Sequence, residues 1–110
     1  MDDRLALRIS QAGMRFIAQM TIYNSGDFER LRRFIGESYA PNLLADGDVE
    51  AWLDSFREQR YEVGKVRVRQ VIGTGQYHVI VLLEAEKGND LILSEMKVSE
   101  DYPHLIVDYQ

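Results

Sequence analysis

Cysteine is absent from this 110-residue chain. Its absence excludes disulfides, thiolate metal sites and cysteine nucleophiles, and it fits a reducing compartment. An excess of basic charge is also missing: 13 lysines and arginines stand against 18 aspartates and glutamates, for a net charge of -5. An acidic chain lacks the electrostatic footprint that phosphate backbones and anionic headgroups select, so neither nucleic acid nor membrane is expected as a partner. Long apolar runs are lacking too. The longest, Val79 to Leu83, is far too short to span a bilayer. The acidic start Met1-Asp2-Asp3-Arg4 leads into an amphipathic segment and does not read as a signal peptide. A soluble cytoplasmic protein is the expectation. Proline occurs only twice, and no repeat or low-complexity tract interrupts the chain, so residues 1–110 read as one domain with a single core.

What is present is a change of periodicity near Gly64. Before it, apolar residues recur at helical spacing in three segments. The first, Asp3 to Tyr23, carries Leu5, Ile9, Ala12, Phe16, Met20 and Tyr23 as one stripe, with Arg4, Arg8, Gln11, Arg15 and Gln19 opposite. Asp2 or Asp3 can cap its first turn. Asn24-Ser25-Gly26-Asp27 breaks it, with Gly26 suited to the left-handed end and Ser25 or Asp27 to the next cap. The second helix runs from Asp27 to Tyr39 and Pro41 stops it. After the Asp46-Gly47-Asp48 turn, the third runs to about Tyr61 with Val49, Trp52, Leu53 and Phe56 as its stripe.

Beyond Gly64 the apolar residues alternate at spacing two. Strands are expected over Lys65 to Ile72, Tyr77 to Glu86, Leu91 to Val98 and His104 to Tyr109. Gly73-Thr74-Gly75 and Lys87-Gly88-Asn89-Asp90 are the hairpin turns. A meander needs no crossover helices, so the expected class is α+β: three N-terminal helices packed on a curved four-stranded antiparallel sheet, a cystatin-like cone.

The corner Ile22-Tyr23-Asn24-Ser25-Gly26-Asp27 with Leu31 after it, the helix-then-meander order, and the run Pro103-His104-Leu105-Ile106 into the last strand resemble the nuclear transport factor 2-like superfamily. That superfamily includes the SnoaL-like and ketosteroid isomerase-like proteins. Its members range from isomerases, dehydratases and cyclases to non-catalytic binding and dimerisation modules, so the resemblance implies a fold more than an activity.

Strand parity then sorts the side chains. Lys65, Arg67 and Arg69 are expected outside, which turns Val66, Val68, Gln70 and Ile72 inward. Tyr77, Val79, Val81 and Leu83 follow on the second strand, Ile92, Ser94, Met96 and Val98 on the third, and Leu105, Val107 and Tyr109 on the last. With Phe16, Met20, Tyr23 and Trp52 from the helices, these define the expected pocket: Val68, Gln70, Tyr77, Val79 and Val81, then Ser94, Met96, Val107 and Tyr109. The opposite parity leaves Ile80, Leu82, Leu91, Leu93 and Ile106 among Arg67, Arg69 and Glu95. This mixed face suits a two-fold interface, so a homodimer through the sheet is expected.

No carboxylate, imidazole or ammonium group of the sheet enters the pocket under this assignment, and isomerase-type chemistry needs such a base. A bulge after Arg69 or before His104 would reverse the parity beyond it. The function expected is a non-catalytic module binding a small hydrophobic ligand, with no cofactor and no metal. The alternative is a small isomerase, dehydratase or cyclase acting on a hydrophobic carbonyl or polyketide-like substrate, with Tyr23 or Tyr109 as donor and His104 or Asp108 as base. A third reading is pure assembly, with a filled core. His78, near Glu84 and Glu95, reads as a surface or interface residue. Arg30, Arg32 and Arg33 read as a solvated helix face paired with Glu29 and Glu37.

Overall fold

The computed structural model describes residues 3–46 and 48–110. The caps expected of Asp2 and Asp3 and the turn at Gly47 lie outside the residues and side chains described. Five helices precede four strands: α1 (Asp3–Ile9), α2 (Gln11–Ser25), α3 (Phe28–Ser38), α4 (Pro41–Asp46) and α5 (Val49–Val63), then β1 (Val66–Thr74), β2 (His78–Ala85), β3 (Leu91–Val98) and β4 (Ile106–Tyr109). The strands form an open antiparallel sheet in sequence order, β1-β2-β3-β4. The protein is therefore α+β, with all its helices before its strands.

The expected first helix is two. Ser10 leaves helical geometry at φ -78° and ψ 154°, and its hydroxyl accepts the amide of Gly13, capping α2. A β-carbon on Gly13 would lie 1.7 Å from the carbonyl oxygen of Leu7. Only glycine lets the start of α2 fold back onto the end of α1. Gly26, at φ 77°, ends α2 through its amide to the Tyr23 carbonyl. Asp27 and Asp48 cap α3 and α5 by accepting from Arg30 N and Ala51 N. Pro41 opens the short α4 as well as closing the segment before it, since a first-turn amide needs no helical partner.

Helix α2 lies against β1, β2 and β3 as well as α3 and α5. Its burial therefore spreads beyond one stripe. Phe16, Leu31, Ile35, Leu53, Val79, Val81, Met96 and Ile106 are the large side chains fully enclosed between the layers. On β2 and β3 the expected parity is what the structure has: Val79, Val81, Leu83, Ser94, Met96 and Val98 are buried, while Leu91, Leu93 and Lys97 are exposed.

On the two edge strands it reverses. A bulge at Arg69 pairs Val68 with Leu83 but Gln70 with Leu82. Gln70 is thereby turned outward and exposed, and Val71 takes the inward place expected of it. Ile72 falls at a second bulge, between Val71 and Gly73, and is 51% exposed. On β4 the shift between Lys97 and Val98 leaves Val107 out of register and pairs Ile106 with Val98. Ile106, expected on the outer face, is 0% exposed. His104 lies before β4 at φ 61° rather than in the strand.

Candidate functional site

The interior between helices and sheet carries a few buried polar groups. From α2, Gln19 presents Oε1 to the Tyr39 hydroxyl, which donates at 2.7 Å. On β4, burial raises the Tyr109 phenol, against a smaller lowering by Ser94 of β3 and Gln19. Tyr23 donates to the Gly64 carbonyl at 2.8 Å. Aromatic edges close the region: Trp52 meets Tyr39 edge-on at 5.1 Å, and Phe56 lies 5.9 Å from Tyr109.

These hydroxyls stay protonated near neutral pH. Burial pushes the Tyr23 phenol up to about 12, against a smaller lowering by Gln59 and Arg60. Burial likewise raises Tyr39 and Tyr109. Desolvation penalises the phenolate, so each stays neutral.

The space left among them is small. A void of about 20 Å³ is bounded by the polar groups of Gln19, Tyr23, Gln59 and Tyr109 and by apolar Phe16, Met20, Phe56, Val66 and Leu83. That is room for roughly one water and not for an organic ligand. Of the residues expected to form a pocket, Phe16, Met20, Tyr23 and Tyr109 do bound this void. Val79, Val81, Ser94 and Met96 are buried in the packed core. Trp52, Val68 and Tyr77 are half-buried against it, Val107 is half-buried on its bulge, and Gln70 faces out.

Two glutamines were missed. Gln19 falls on the polar side of a one-stripe helix, yet it is buried, because α2 is enclosed from the sheet side and by α3 and α5 at once. Its spacings of three from Phe16 and four from Tyr23 are the sign of this in the sequence.

The alternative acid–base residues stand elsewhere. The Nδ1 of His104 is 2.9 Å from the Ser99 carbonyl, and its ring stacks on Tyr77 at 5.7 Å. Asp108 pairs in register with Lys97, whose parity is outward. Among the described residues, no three His, Asp or Glu side chains converge as a metal site. None of their helices is long and apolar enough to cross a membrane.

The outer face of the sheet carries Ile80 and Leu82, half-buried, beside Leu91 and Leu93, which are 56% and 64% exposed. Charged pairs frame them. Arg67 and Arg69 both reach Glu84, at 2.9 and 3.8 Å, and His78 Nε2 lies 2.7 Å from Glu95. On α3, Arg32 pairs with Glu29 and with Glu50 of α5, rather than with Glu37. No protein-family model matches this chain, and no curated protein or solved structure matches it significantly.

Proposed function

We propose that this protein is a non-catalytic assembly module of nuclear transport factor 2-like type, dimerising through the outer face of its sheet. One contrast carries the reading. The void between Phe16, Tyr23 and Tyr109 holds only about 20 Å³, whereas Leu91 and Leu93 are 56% and 64% exposed on the outer side of the sheet. Contiguous exposed apolar surface marks sites of interaction on soluble proteins.

The charges on the same face favour a second copy as the partner. Arg67, Arg69 and Lys97 stand beside Glu84, Glu95 and Asp108, so a two-fold rotation can bring opposite signs together. This retains the dimer and sets aside a small hydrophobic ligand in the interior. The isomerase, dehydratase or cyclase alternative gains no support, since the groups around the void are two amides and two neutral phenols. The absence of cysteine and the acidic balance favour a cytoplasmic setting.

Sedimentation velocity across a concentration series tests the proposal. The expected result is a dimer for the unaltered chain and a folded monomer for Leu93→Glu. A monomer at every concentration would overturn the reading.

A further inference from the structure

The edge of β1 borders three hollows that run into one another. The first, about 410 Å³, lies over Asn24, Lys65, Arg67 and Glu86. It shares Asn24, Val66, Arg67 and Glu84 with a second of about 570 Å³, which extends along the edge to Arg69. That one shares Met20 and Val68 with a third of about 280 Å³, walled by Leu7, Ile17 and Arg8. Together they form a groove beside the strand, apolar where α1 and α2 approach β1 and polar at the other end.

Its charge runs against that of the chain. Arg8, Lys65, Arg67 and Arg69 line it against only Glu84 and Glu86, in a protein of net charge -5. Glu84 is a single carboxylate shared by two guanidiniums, and Arg8 and Lys65 make no ion pair with the described residues. The groove is thus short of negative charge beside an apolar trough.

We propose that this groove docks an extended peptide segment in which acidic and apolar side chains alternate. The groove follows a strand edge. A chain that lies lengthwise can fill it, whereas a compact small molecule would stay largely in water. Apolar side chains of the segment enter between Leu7, Ile17, Met20 and Val68, and its carboxylates meet Arg67, Arg69 and Lys65. At Val66 the side-chain amide of Asn24 already occupies the backbone amide and carbonyl. Recognition there runs through side chains rather than by adding a strand. Arg67, Arg69 and Glu84 also border the sheet face proposed for the dimer, so the peptide and a second copy would meet at these side chains.

The test is fluorescence anisotropy with a labelled octapeptide of alternating glutamate and leucine, and a second of alternating lysine and leucine. The acidic peptide is expected to bind and the basic one not to. Added salt should weaken binding, since the contacts are exposed ion pairs. The double variant Arg8→Glu, Lys65→Glu alters exposed side chains only and should lose affinity by at least about tenfold. Leu93→Glu, which tests the dimer, lies outside the groove and should not lower the affinity. Equal binding of the two peptides, full affinity in the double variant, or binding of dodecanoate without binding of the acidic peptide would each overturn the proposal.

Discussion

The side chain of Asn24 pairs with the backbone of Val66 as a neighbouring strand would. Its Nδ2 donates to the Val66 carbonyl at 2.7 Å, and its Oδ1 accepts from the Val66 amide at 2.9 Å. A residue from the last turn of α2 thereby closes the first rung of an edge strand. Unpaired strand edges invite other chains, so this contact both ties helix to sheet and shields the edge.

Asn24→Ala is therefore expected to cost about 1–3 kcal/mol, because it leaves two partly buried backbone groups without partners. Asn24→Asp should recover little of this. A carboxylate can still accept from the Val66 amide but repels its carbonyl. Urea denaturation of the three proteins checks the order, and equal stability of all three would contradict the role.

Gly13 and Gly36 should respond to alanine with opposite signs. At Gly13 the new β-carbon collides with the Leu7 backbone, while at Gly36 it meets nothing within 4 Å. Gly13→Ala should destabilise by at least ~3 kcal/mol, since backbone rather than a side chain must move. Gly36→Ala lies inside α3 and should stabilise by roughly 0.5–1 kcal/mol through helix propensity. Thermal unfolding of both variants decides the matter.

Alkaline pH should unfold the protein cooperatively. Burial raises the phenols of Tyr23, Tyr39 and Tyr109 in the folded state, Tyr23 to about 12 from the ordinary 10.0. The stability tied to them is complete below the unfolded value. It falls as pH rises through the folded one, because the unfolded chain gives up these protons first. Tyrosinate absorbance should then rise together with loss of circular dichroism. Early, gradual ionisation of all the tyrosines in a still-folded protein would show these rings to be accessible.

Ile106 and Leu91 separate core from surface on the sheet. Ile106→Ala should cost about 2–5 kcal/mol, as expected for a fully enclosed aliphatic side chain. Leu91→Ala should stay within about 0.5 kcal/mol for the isolated monomer. Chemical denaturation at dilutions that favour the monomer makes the comparison, and similar losses at both positions would place Ile106 wrongly.

Much of this architecture was legible in the residues. The Asn24-Ser25-Gly26-Asp27 corner, the bounds of β3 and the faces of β2 and β3 follow from local chemistry. Gly26 tolerates a left-handed backbone, and a strand paired on both sides keeps strict alternation. The break at Ser10 was marked by a capping serine three residues before Gly13, but the stripe through Leu5, Ile9 and Ala12 masks it, since that spacing suits a continuous helix equally well.

What local pattern determined, then, is the order of helices and strands and the parity of the interior strands, because these depend on neighbours a few residues apart. Tertiary structure decided the rest. Edge strands are held on one side only and can absorb an extra residue, so the bulges at Arg69 and Val107 turned Gln70 out and Ile106 in. The size of the interior was decided there too. Whether Phe16, Met20 and Phe56 leave a pocket or fill it depends on how closely α2 and α5 settle on the sheet. That distance is set by the packing of all the layers together, which no single segment encodes.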